Sequence, residues 1–67
     1  MLNIKYSRHA RQRMVERGIS QLEIADAINK GAKRMQKDKI VSAYTYFEVM
    51  YKKFGSEIYV ITVKPRW

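Results

Sequence analysis

His9, Arg13 and Arg17 stand at i, i+4 and i+8, a spacing that lines three side chains along one edge of a helix. Together they hold group types that metal-free cleavage of RNA can use. The attacking 2′-hydroxyl must lose a proton, the leaving oxygen must gain one, and the phosphorane charge must be neutralised. Imidazole moves protons near neutral pH, and a guanidinium grips two phosphate oxygens at once. His9 is the one histidine of the chain, so no His–His acid–base pair exists. The second proton-transfer role falls to Tyr46, Tyr59 or Glu48, or is unfilled. A structural role competes for the same residues. A histidine at a helix start packs or caps, and an arginine before a glycine binds the last helical carbonyls.

Charge points the same way. The chain has 67 residues and a formal net charge of +8. Residues 1–19 carry Lys5, Arg8, Arg11, Arg13 and Arg17 against Glu16, or +4. Residues 32–40 carry Lys33, Arg34, Lys37 and Lys39 against Asp38, or +3. A localised basic surface attracts phosphate backbones and releases their counterions. RNA is therefore the expected partner, with Arg8, Arg11, Lys33, Arg34, Lys52 and Tyr59 as binding residues. The alternative for the charge is a solubilising surface. There is no cysteine, hence no disulfide and no thiolate zinc site. No apolar run approaches the ~20 residues of a membrane span, and the N-terminus lacks the apolar core of a signal peptide. The expectation is a cytoplasmic protein with no cofactor and no metal site.

Two helices must position the first set of residues. Ser7 is a good N-cap for a helix over 8–17, and Gly18 is its left-handed stop. Ala10 and Met14 mark its core side, with His9, Arg13 and Arg17 beside it. Ser20 caps a second helix, and Glu23 completes a capping box with Ile19 and Ile24 as the hydrophobic staple. That helix runs to Lys30 with Leu22, Ile24, Ala25 and Ile28 as its core stripe. Residues 2–6 read as an extended lead-in.

From residue 32 the pattern becomes strand-like: a strand over 32–36, a long one over 40–53 and a third over 58–64, ended by Pro65. Gly55-Ser56 is the hairpin turn between the last two. The expected fold is a single α+β domain over 1–67, with two N-terminal helices packed on one face of a three- or four-stranded antiparallel sheet. The hairpin register then sorts the faces. Phe47, Val49, Tyr51, Ile58, Val60 and Thr62 are expected under the helices. Tyr44, Tyr46, Glu48, Met50, Lys52, Tyr59, Ile61 and Val63 are expected on the open face. That face suits base stacking with phosphate contact, or a weak homodimer interface.

The run from Ser7 to Ser20, SRHARQRMVERGIS, resembles the signature H-A-x-x-R-M-x-x-R-G-I-S of a family of unknown function, DUF 4258. Phe47-Glu48-Val49 and Val60-Ile61-Thr62-Val63 also look like that family. It is grouped with the barnase/RelE/colicin-type ribonuclease fold, which includes many toxins of toxin–antitoxin pairs. The resemblance implies a RelE/barnase-like domain and metal-independent endoribonuclease activity, with His9, Arg13, Arg17 and Thr62 at the matching polar positions; Tyr46, taken from the open sheet face and not from the resemblance, is the fifth catalytic candidate. It also implies an acidic antitoxin as partner. The rival expectations are a non-catalytic RNA- or DNA-binding module and a dimeric interaction protein.

Overall fold

A computed structural model describes residues 3–66. The elements in chain order are β1 (Asn3–Tyr6), α1 (Arg8–Arg17), α2 (Gln21–Lys30), β2 (Ala32–Gln36), β3 (Lys39–Tyr44), β4 (Phe47–Phe54) and β5 (Glu57–Pro65). The five strands form one sheet in the order β1-β5-β4-β3-β2. β1 runs parallel to β5, and the other pairs are antiparallel. The sheet is therefore five-stranded and mixed, not a three- or four-stranded antiparallel one. The expected lead-in is its fifth strand. Both helices do pack on one face, as expected.

Local chemistry accounts for the helix limits. The Ser7 hydroxyl accepts from the Ala10 N–H and caps α1. Gly18, at φ 68°, ends it with its N–H directed at the Met14 and Val15 carbonyls. Ser20 and Glu23 form the reciprocal capping box of α2, and the staple residues Ile19 and Ile24 are both buried. Ala10 and Met14 are the buried residues of α1. In α2 they are Ile24, Ala27 and Ile28. Leu22, expected in that stripe, is 80% exposed. It lies in the first turn, on the side of α2 away from the sheet.

Residues 40–53 do not form one strand. Tyr44 pairs with Phe47, and Thr45-Tyr46 is a two-residue turn between β3 and β4. No Gly, Asn or Pro announces this turn; Thr45 itself takes φ 49°. The turns Lys37-Asp38 and Gly55-Ser56 match it, with φ 59° at Lys37 and 63° at Gly55. The extra turn brings Tyr44 to the helix-covered face, where it packs against the core and meets Phe47 edge-on.

A bulge corrects the face assignment of β5. Tyr51 pairs with Val60, but Met50 pairs with Thr62. Ile61 is thus an extra residue, and the alternation flips beyond it. Val63 falls into the core and Thr62 onto the open face, the reverse of expectation. The core comprises Ala10, Met14, Ile19, Ile24, Ala27 and Ile28 from the helical layer against Phe47, Val49, Tyr51, Ile58, Val60 and Val63 from the sheet. Between α2 and β3 the approach is close. The buried Ser42 hydroxyl donates to the Ala27 carbonyl, and a Cβ at Gly31 would stand 2.5 Å from the Ala27 carbonyl and 2.8 Å from that of Ala43. Among the described residues no helix is long and apolar enough to cross a membrane.

Candidate nucleic-acid interface

The face of the sheet away from the helices is built in registered rows. Lys5 of β1 pairs with Tyr59 of β5, which pairs with Lys52 of β4; Lys39 of β3 projects on the same side, opposite Gln36 of β2. The next row is Thr62, Met50, Val41 and Arg34. The third is Lys64, Glu48, Ala43 and Ala32. At the hairpin end, Phe54 pairs with Glu57 and lies diagonal to Tyr59, and both rings are exposed. Neighbouring strands are ~4.8 Å apart and alternate residues along one ~6.6 Å. Five cations, Lys5, Arg34, Lys39, Lys52 and Lys64, thus share a surface with the carboxylates Glu48 and Glu57 and with Asp38 of the β2–β3 turn, which reaches Lys52. Val41 is fully buried although it lies on this face, because Arg34 and Met50 flank it in register.

Ion pairs hold several of these side chains in place. Arg34 donates to both Glu48 carboxylate oxygens, at 3.1 and 3.3 Å. Lys64 Nζ lies 3.8 Å from Glu48 Oε1. The bond from Arg34 is the largest of the effects that hold the Glu48 carboxyl below its ordinary range. An ionised Glu48 between two cations is a weak base; its geometry suits holding Arg34 and Lys64 upright. Lys52 Nζ lies 3.1 Å from Asp38 Oδ2, and that bond lowers the Asp38 carboxyl.

The residues expected to act divide between the two sides of the sheet. Arg34, Lys52, Tyr59 and Thr62 come together on the open face. His9, Arg13 and Arg17 stay on one flank of α1, in the helical layer across the sheet from Thr62. His9 and Arg17 make no hydrogen bond or ion pair with the described residues, while Arg13 lies 3.5 Å from Glu16. Arg8 and Arg11 occupy the other flank of α1. Lys33 alternates with Arg34 and so points to the helix side, where its ammonium donates to the Gly31 carbonyl at 3.1 Å.

Tyr46, expected on the open face, sits in the β3–β4 turn. Its hydroxyl donates to Glu23 Oε2 at 3.2 Å, and its ring stands against Phe47 with centroids 5.3 Å apart. Desolvation first, and then the Glu23 carboxylate, raise the Tyr46 phenol above its ordinary value. The Ser20 N–H is the main cause that lowers Glu23. Sequence reasoning missed Lys5, Lys39, Lys64 and Phe54 as members of the open face. The alternation Ile4-Lys5-Tyr6 was a readable signal for Lys5, whereas Lys64 required the bulge.

Two helices against one face of a five-stranded mixed sheet, with a basic opposite face, define an α+β fold. Residues 6–64 match the domain of unknown function DUF4258, and the chain belongs to that family. A chain in the crystal structure of the toxin–antitoxin complex RelBE2 from Mycobacterium tuberculosis superposes with a TM-score of 0.64 at 11% identity, covering 97% of this chain and 98% of that one. At that identity the likeness is one of fold. No curated protein matches the sequence.

Proposed function

We propose that this chain is a RelE-type toxin that engages RNA through the open face of its sheet and cleaves it without a metal ion. One observation carries the reading: the registered array of Lys5, Arg34, Lys39, Lys52 and Lys64 on the face that also bears the exposed rings of Tyr59 and Phe54. Bases stack on aromatic rings with little regard to sequence, and cations at strand spacing meet successive phosphates. Arg34, oriented by Glu48, offers a planar guanidinium to the phosphorane. Lys52 and Tyr59 carry the protons on this face that could reach a leaving oxygen. An acidic antitoxin is the matching protein partner, since the RelBE2 structure is a toxin–antitoxin complex and this chain carries a net charge of +8.

A specific observation favours a second reading. His9, Arg13 and Arg17 lie across the sheet from Thr62, and Tyr46 is tied to Glu23, so these five residues do not converge on one phosphate. That separation fits a binding module with the same RNA surface and no cleavage. Incubation of the purified chain with end-labelled single-stranded RNA in EDTA divides the two. Products ending in 2′,3′-cyclic phosphate support the toxin reading. Bound but intact RNA, with or without divalent metal, supports the binding module.

A further inference from the structure

The helix side of the molecule carries a second surface that the RNA reading does not use. Tyr6 of β1 and Met14, Val15 and Ile19 from the α1 region wall an open groove of about 560 Å³, with Arg11 at its rim. That volume is in the range of pockets that take apolar ligand groups. Val15 is 82% exposed there, a large apolar side chain in an α1 that otherwise shows polar groups to solvent.

Arg8, Arg11 and Val15 fall at i, i+3 and i+7 on one flank of α1, opposite the flank of His9, Arg13 and Arg17. Neither Arg8 nor Arg11 forms an ion pair with a described residue. The single carboxylate of α1, Glu16, faces Gln12 and Arg13 instead. Arg11 and Tyr6 line the same groove, and burial holds the Tyr6 phenol above its ordinary value although the Arg11 charge acts the other way. The surface is therefore an apolar trough with an uncompensated positive rim. Its complement is a segment with apolar side chains flanked by carboxylates. Single-stranded RNA would meet the charge but would find one partly buried ring, Tyr6, where it needs open stacking platforms.

We infer that this groove anchors an acidic amphipathic segment of a partner protein; in the toxin reading, on which this inference rests, the partner is the antitoxin. Because the groove lies on the helix side, the anchored segment leaves the open sheet face uncovered. Masking of that face then depends on chain that continues around the β1 edge towards Lys5.

The test uses the full chain, isotopically labelled, and synthetic amphipathic peptides of about 15 residues, long enough for marginal helicity. One peptide carries leucines on one stripe and glutamates elsewhere; a second has lysine for every glutamate; a third scrambles the first. The acidic peptide is expected to shift the amides of Arg11, Val15, Gly18 and Ile19, and to bind more weakly as salt rises. The lysine peptide and the scrambled peptide should bind at least about 10-fold more weakly, a difference of about 1.4 kcal/mol. Val15→Glu should abolish the shifts and Val15→Ala weaken them, with the melting temperature kept because the side chain is exposed.

Absence of shifts at these amides, shifts confined to the sheet face, or equal binding of the lysine or scrambled peptide overturns the proposal. Groove shifts that grow with protein concentration without peptide would assign the surface to a second copy of the chain and overturn it as well. RNA added to the peptide-saturated protein should bind undiminished, and competition between them would refute the separate anchor. Loss of peptide binding with RNA binding intact removes the groove inference alone. Loss of RNA binding with the groove shifts intact removes the RNA reading alone.

Discussion

The Ser7 hydroxyl donates to the Ile61 carbonyl at 2.6 Å, joining the N-cap of α1 to the extra residue of the β5 bulge. The Ser7 N–H donates to the neighbouring Val60 carbonyl at 2.9 Å. One residue thus ends β1, caps α1 and satisfies the carbonyl that the bulge takes out of the ladder. The bulge in turn places Thr62 and Lys64 on the open face. The position of that basic surface depends on a serine across the sheet from it.

Removal of this hydroxyl should therefore be felt in two places. Ser7→Ala is expected to destabilise the domain by about 1–2 kcal/mol, from the missing cap and the carbonyl left without its donor. In a domain of this size each kcal/mol lowers the melting temperature by about 4–8 °C. Ser7→Thr keeps the hydroxyl and should lose less. Urea denaturation of the three proteins checks this, and equal midpoints for Ser7→Ala and wild type would remove the coupling.

Much of the helical layer was legible because its signals are local. Ser7, Gly18, Ser20 and Glu23 specify their ends within four residues, and Ala10 and Met14 lie one turn apart. The sheet was less legible because its decisive pairings are distant. β1 pairs with β5 across more than fifty positions, and four residues offer too short a pattern to announce that pairing. The β3–β4 turn is made by Thr45 and Tyr46, residue types associated with strands. The bulge at Ile61 leaves no mark in composition, so Thr62 and Val63 exchange faces. The candidate site suffered accordingly. Alternation places Lys52 and Tyr59 on the open face and charge alone singles out Arg34, while Lys39 and Lys64 need the true register.

The strained turn between β3 and β4 should respond to substitution. Thr45 is a β-branched residue at φ 49°, a conformation that costs an L-residue roughly 1–2 kcal/mol and suits asparagine better. Thr45→Asn should raise stability by about 0.5–1 kcal/mol, since its side chain tolerates this region. A higher melting temperature with an unchanged fold is the expected result. A lower one would mean that the threonine side chain makes a compensating interaction in the turn.

Acid should weaken the molecule through its held carboxylates. The folded-state Glu48 carboxyl lies below its ordinary value of 4.5, chiefly through the bond from Arg34. A lowered folded value means that the unfolded chain binds protons more readily. The contribution of Glu48 is thus present above about pH 4.5 and is lost as pH falls through the lower folded value. Glu23 and Asp38 are shifted in the same direction and add to this acid limb. Glu48→Gln should be less stable than wild type at pH 7, and the gap should narrow by pH 3. Urea midpoints at the two pH values measure it, and a gap that stays constant would contradict the assignment.

Charge reversal on each side of the sheet in turn should reveal which side meets RNA. Lys5→Glu combined with Lys52→Glu reverses two cations on either side of Tyr59 in one row. RNA affinity should fall for all sequences, and the slope of log affinity against log salt should flatten by about 0.7 for each phosphate of a single strand that is no longer neutralised. Reversal of Arg13 and Arg17 on α1 should change affinity much less, because those side chains stand on the other side. His9 is exposed and has no hydrogen-bonding partner among the described residues, so His9→Ala should leave both the melting temperature and RNA affinity unchanged. The cleavage rate then decides its role. A general acid or base contributes on the order of 100-fold or more, and a fall of that size, with a flattened pH profile near neutrality, would assign the proton to His9 and require RNA to reach the helix side. The distance across the sheet from His9 to Tyr59 and Thr62 leads to the opposite expectation: an unchanged rate for His9→Ala, and a rate abolished by Arg34→Lys, which keeps the charge but breaks the planar grip that Glu48 holds in place.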